Sequence, residues 1–210
     1  MRRFALTLLA TGATVAALGI TSAAAAAALP AVTTASVPCF PATTQPFAAF
    51  GDLHPYFLMP GGSFEAGTLA WQLSGSAARV SGNNTAGSDP LSNTTSLSLP
   101  AESSATSPTV CVDPTSPTIR FYVRNTGAST SQLGLTLLYT LPNGMPASLL
   151  VEKISATGVW HQTAALRFMM NMLAKTSATG TTNVAFQFRP LDATGHWRID
   201  DVYVDPFKRS

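Results

Sequence analysis

Charge is what this chain has least of. Acidic and basic side chains make up 10% of its 210 residues, against roughly 25% in an average globular protein. Cysteine is nearly absent too, at Cys39 and Cys111. No cysteine or histidine pair stands at the spacing of a metal-binding motif, which argues against zinc. No Gly-x-Ser-x-Gly elbow and no His-Glu-x-x-His motif occur, so the common hydrolase and metalloprotease signatures are missing. His54, His161 and His196 are isolated and read as surface or turn residues. Past the N-terminus no apolar run is long enough to span a bilayer.

What is present begins with a leader. Arg2 and Arg3 precede an apolar run over residues 4–20, and a small-residue stretch over 21–28 offers several Ala-x-Ala cleavage points. This is the plan of a secretory signal peptide, with an uncleaved membrane anchor as the alternative. Secretion places the mature chain outside the cell. Loss of Arg2 and Arg3 takes the twelve basic side chains to ten, equal to the ten acidic ones. A net charge of zero argues against nucleic acid, or an anionic membrane surface, as partner. In an exported chain two cysteines read as a Cys39–Cys111 disulfide, with two buried thiols as the alternative. The 72-residue separation makes such a bond worth up to about 4 kcal/mol in the chain-entropy model.

Along the mature chain, residues 29–59 are a Pro-, Ala- and Thr-rich lead-in followed by an aromatic arm. The arm carries Phe47, Phe50, Tyr56 and Phe57 and is too broken by Pro46, Gly51 and Pro55 for a helix. It is expected to lie along the body and cover a sheet edge. The body, residues 60–206, alternates. Phe64 and Glu65 are expected on a very short first strand, and Leu69, Trp71 and Leu73 on one face of the next. Residues 77–81 and 95–99 add two more. Ile119, Phe121 and Val123 alternate with Arg120, Tyr122 and Arg124. Leu133, Leu135, Leu137, Tyr139 and Leu141 run in phase, and residues 148–154 form a further strand. Residues 160–175 fit both a strand and a helix, and the surrounding strands favour a strand. Val184, Phe186 and Phe188 alternate with Ala185, Gln187 and Arg189.

The last strand organises the rest. Its apolar side chains fall at Trp197 and Ile199, then at Val202 and Val204. The phase slips by one residue at Asp200-Asp201, which predicts a β-bulge that re-aims two adjacent carboxylates. About ten short strands, separated by turn signals and without a long helix, predict an all-β jelly-roll β-sandwich of two antiparallel sheets. The first and last strands are expected to pair, bringing Glu65 close to Asp200 and Asp201. Residues 207–210 are a short tail.

Three local patterns carry a resemblance: Gly62-Ser63-Phe64-Glu65, Trp71 with Gly75 and Ala77, and Trp197-Arg198-Ile199-Asp200-Asp201-Val202. Together they resemble the galactose-binding-like jelly rolls of bacterial carbohydrate-binding modules of the family 4, 9 and 22 type. The tail of the domain is similar to that of small secreted bacterial proteins that carry this domain alone. The resemblance implies a structural calcium held by Glu65 and one of Asp200 or Asp201. The alternative is that Glu65 caps turn N–H groups and the Asp pair is bulge geometry. It also implies a sugar on a concave sheet face, for which Arg120, Tyr122, Arg124, Gln187 and Arg189 are the candidates. The plain alternative is a solvated sheet face. The chain departs from polysaccharide binders in its shortage of free aromatics, since Trp71 and Trp197 belong to the core. The expectation is a monomeric, non-catalytic binder of a glycan or cell-surface polymer. The competing expectation is a structural or protein-interaction domain, with a glycoside-active enzyme third.

Overall fold

The computed structural model describes residues 29, 39, 41–65, 70–84, 93–115, 117–168, 174–178 and 180–205. The expected signal peptide and the 207–210 tail lie outside the described residues, as do Leu69 and residues 169–173. Among the described residues no helix is long and apolar enough to cross a membrane.

Among the described residues, thirteen strands and one 3-10 turn, Ala48–Phe50, make up the regular structure. In order the strands are β1 (Phe57–Leu58), β2 (Gln72–Ser74), β3 (Ala78–Ser81), β4 (Thr95–Pro100), β5 (Ser104–Thr106), β6 (Val110–Val112) and β7 (Thr118–Asn125). They continue with β8 (Leu133–Thr140), β9 (Pro146–Ile154), β10 (His161–Gln162), β11 (Leu166–Arg167), β12 (Thr182–Pro190) and β13 (His196–Asp205). They form two antiparallel sheets. The seven-stranded one runs β10-β7-β13-β4-β3, with β1 on β13 and β11 on β7. The six-stranded one runs β2-β5-β12-β8-β9, with β6 on β12. This is the jelly-roll sandwich the alternation implies.

Each sheet is built on one long strand whose second edge is shared. β13 pairs with β7 along one side. On the other side it takes β4 at His196 to Ile199, then β1 at Tyr203 and Val204. The exchange happens at the bulge. β12 lies on β8 along one side and on β5 and β6 along the other. Between those two strands Ser107 keeps the ladder closed: its N–H donates to the Phe186 carbonyl, and its hydroxyl accepts from the Phe186 N–H. β5 and β6, at three residues each, are too short to show in the sequence pattern.

The alternating apolar residues meet between the sheets. Ile119, Phe121 and Val123 face Val184, Phe186 and Phe188, together with Leu133, Leu135 and Leu137. Phe121 and Phe188 pack edge to face at 5.0 Å, as do Phe64 and Trp71 at 5.0 Å and Phe168 and Phe186 at 5.3 Å. Such pairs add about 0.5–1.5 kcal/mol beyond their buried area. Both core indoles are satisfied: Trp71 donates to the Pro60 carbonyl and Trp197 to the Ser131 hydroxyl.

Two local expectations change. Phe64 and Glu65 are not a strand. The chain turns at residues 61–63, and Phe64 takes a left-handed φ of 54°, which drops its ring onto Trp71. The short strand on β13 is β1 of the arm instead, extended by hydrogen bonds of Met59 and Gly62 to Val202. The arm also covers more than an edge. Phe47 and Tyr56 close over Tyr122 and Tyr203 on the outward face of the seven-stranded sheet, a second small core bordered by Trp160. The Cys39–Cys111 disulfide is formed and ties the lead-in to β6.

Candidate functional site

Three places gather the candidate residues. The first is the β13 bulge. The register with β7 shifts between Asp200 and Tyr203, and Asp201 sits at φ 44°. A non-glycine residue in that region costs roughly 1–3 kcal/mol, so the surrounding contacts must hold it. Asn84 does much of this. Its N–H donates to Asp200 Oδ2 at 2.8 Å, and its Nδ2 reaches Asp201 Oδ2 at 2.9 Å. The bulge therefore aims both carboxylates at one group, and both are buried. Glu65 stands apart. Its Oε1 accepts from the Thr94 and Thr95 N–H groups, each at 2.8 Å, and from the Thr95 hydroxyl at 2.9 Å. Burial raises its pKa, but those N–H and O–H donors outweigh it and leave the carboxyl below its ordinary range.

The expected calcium can be tested against this donor set. Asp200, Asp201 and Asn84 carry hard oxygens of the kind calcium takes. Glu65 turns its Oε1 to Thr94 and Thr95, and among the described residues no group of three acidic, His or Cys side chains suited to a metal ion is found. Glu65 caps the N–H groups that open β4.

The second place is the outward face of the seven-stranded sheet, where three of the predicted ligand residues lie. Arg120 and Tyr122 are not available there, because the arm occupies them. The Arg120 guanidinium sits 4.1 Å from the centre of the Phe47 ring and donates to Asp52 Oδ2 at 2.7 Å and to the Thr163 carbonyl. Tyr122 is fully buried beneath Phe47. Asp52, in the arm, was not singled out by any sequence pattern. Burial raises its pKa, but hydrogen bonds from Tyr56, His54 and Arg120 overcome that and hold it well below the carboxylate range. Arg124, beyond the arm, is half-buried against Trp160.

The third place is the outward face of the six-stranded sheet, on the far side of the sandwich. Gln187 and Arg189 lie here, so the five predicted ligand residues do not form one face. Strand register lines up a polar row straight across the sheet: Gln72 opposite Thr106, Thr106 opposite Gln187, Gln187 opposite Thr136, and Thr136 opposite Leu150. Gln187 Nε2 donates to Thr106 Oγ1 at 3.2 Å. One step along, exposed Arg189 stands opposite Gly134, which stands opposite Lys153. A step the other way, Ala185 and Leu138 are buried. Gln72, Thr106 and Thr136 each sit in a stretch too ordinary to mark. Only the strand register joins them to Gln187.

The chain is similar in fold to carbohydrate-binding modules. One such solved structure is the CBM22-1 xylan-binding domain of Xyn10C from Paenibacillus barcinonensis, at 17% identity and a TM-score of 0.48 over 71% of this chain and 94% of that one. Another is TmCBM61 in complex with beta-1,4-galactotriose, at 14% identity and a TM-score of 0.42 over 71% of this chain and 98% of that one. The enzymatically active domain of tailspike protein 4 from bacteriophage CBA120 also matches, at 16% identity and a TM-score of 0.47 over 70% of this chain and 21% of that one. No family model and no curated protein matches the chain.

Proposed function

We propose that this is a secreted, non-catalytic binding domain that takes a carbohydrate or cell-surface polymer on the outward face of its six-stranded sheet. The observation that carries the reading is the Gln72-Thr106-Gln187-Thr136 row. Amides and hydroxyls placed at strand spacing suit successive sugar hydroxyls, which both donate and accept. Exposed Arg189 adds a fork beside the row that can hold vicinal hydroxyls. The opposite face is the weaker candidate, since the chain's own arm fills it at Arg120 and Tyr122. The one Ser–His pair among the described residues, Ser98 and His196 at 3.1 Å, carries no acidic partner on the imidazole and supports no triad.

The test is a glycan-array screen of the mature protein, followed by Gln187→Ala with Arg189→Ala. A specific, saturable glycan signal is expected. The double variant should weaken it at least about tenfold, the loss of one or two charged or amide hydrogen bonds, while its melting temperature stays near that of the parent. Retention of full binding by the folded variant removes this face. A blank array with folded protein favours the structural or protein-interaction reading.

A further inference from the structure

The arm covers only one end of the seven-stranded sheet. At the other end, register sets Arg124 of β7 directly opposite Arg198 of β13, and Arg198 directly opposite Ser98 of β4. His196, two residues before Arg198 and so on the same face, places Nε2 3.1 Å from Ser98 Oγ. Three basic side chains and a hydroxyl thus share one patch of sheet. Two like charges directly opposite on neighbouring strands oppose pairing. Among the described residues no acidic group forms an ion pair with Arg124, Arg198 or His196, and Asp200 acts on Arg198 only from beyond that distance.

Both guanidiniums are nevertheless held in place. Arg198 donates through one terminal nitrogen to the carbonyls of Ser81 and Gly82, and a side chain at Gly82 would press on that guanidinium. Arg124 stacks at 5.1 Å from the Trp160 ring centre. Among the described residues its terminal nitrogens donate to no acceptor, and Arg124 and Arg198 are each partly exposed, His196 more so. An Arg124 fork without an acceptor, set opposite an Arg198 guanidinium that carbonyls hold in place, matches what an oxyanion requires.

We propose that Arg124, Arg198, His196 and Ser98 form a binding site for an oxyanion: the carboxylate or sulfate of an acidic sugar, or a small free anion of the same chemistry. The site is on the opposite side of the sandwich from Gln187 and stands whether or not that face binds a glycan. It also accounts for the like-charged pair, which a bound oxyanion converts from repulsion into a bidentate clamp.

Isothermal titration of the mature protein with oligogalacturonate, with neutral xylohexaose and with inorganic sulfate tests it. Oligogalacturonate is expected to bind, with an affinity that falls as salt rises. Arg124→Gln should weaken that binding roughly ten- to a hundredfold, as loss of a charge-assisted bond predicts, and leave any xylohexaose binding as it was. Sulfate binding with the same dependence on Arg124, without oligogalacturonate binding, assigns the site to a free anion. The exposed His196→Gln variant gives a second reading should Arg124→Gln unfold, and a smaller loss is expected from it. Failure of both anions to bind the folded parent overturns the proposal. So does oligogalacturonate binding that survives both substitutions, or that is lost instead with Gln187→Ala and Arg189→Ala.

Discussion

Asp52 shows how one residue can decide what a surface does. It accepts from Arg120 at 2.7 Å and from Tyr56 at 2.8 Å, and it touches His54 at 2.7 Å. Those contacts close the arm over Tyr122 and Tyr203. Asp52→Asn keeps the shape but leaves the Arg120 charge nearly buried without its partner. The expected loss is about 3 kcal/mol, the lower end for breaking such a pair, read from denaturant unfolding. The pH dependence follows from the lowered pKa of Asp52. An unfolded carboxyl titrates near 4. Stability from a group whose folded pKa is lower is fully present above that value and lost as pH falls toward the folded one. The parent should therefore lose stability below about pH 4, and the loss should be shallower in Asp52→Asn. Equal slopes would mean that Asp52 does not hold the arm. The motif glycines are also residue-scale statements. A Cβ at Gly62 would lie 2.9 Å from the Val202 carbonyl oxygen, and Gly75 turns at φ 64° against Glu102.

At the scale of elements, β13 is the strand on which most else depends. Its bulge does three things: it hands one edge from β4 to β1, it keeps Val202 and Val204 in the core after Trp197 and Ile199, and it brings Asp200 and Asp201 to Asn84. Two carboxylates buried side by side disfavour their shared ionised state unless donors or a cation offset it. If calcium is that cation, chelation should lower the melting temperature of the purified protein, and Asp201→Asn should abolish the difference between chelated and calcium-loaded samples. An unchanged melting curve with no metal found by elemental analysis rejects calcium and leaves Asn84 as the device that holds the pair. The phase slip made this bulge legible in the sequence. That Glu65 belongs elsewhere was not legible, because the left-handed turn at Phe64 carries it to Thr94 and Thr95.

For the whole molecule, the disulfide is the tie between its parts. Cys39 lies in the lead-in to an arm that packs on one sheet, and Cys111 lies in β6 of the other. The bond therefore fixes the lead-in to the six-stranded sheet, while the arm that follows packs on the other, and it closes a loop of 72 residues. Reductant should lower stability by up to about 4 kcal/mol, and a thiol titration of the unreduced protein should find none. Two titratable thiols before reduction would overturn the pairing. The charge-poor composition acts at this scale too. With so few acidic groups, a basic pair such as Arg124 and Arg198 has no carboxylate within ion-pair distance among the described residues.

The sandwich, its long strands and the bulge were legible along the chain, because a period of two and a slip in that period are local properties. The sequence also paired the cysteines, since a chain with two of them leaves a single intramolecular choice. Which polar residues share a face was decided only by the tertiary structure. Arg120, Tyr122 and Arg124 alternate in the same way as Gln187 and Arg189, yet the two sets ended on opposite sides of the molecule, one partly beneath the arm. The reason is physical. Alternation says that a side chain points out of its sheet, but the sheet it joins, its neighbours in register and what lies over it are set by contacts between distant segments. The row from Gln72 to Thr136 and the pair of Arg124 and Arg198 both come from register across strands, which no single stretch of sequence contains.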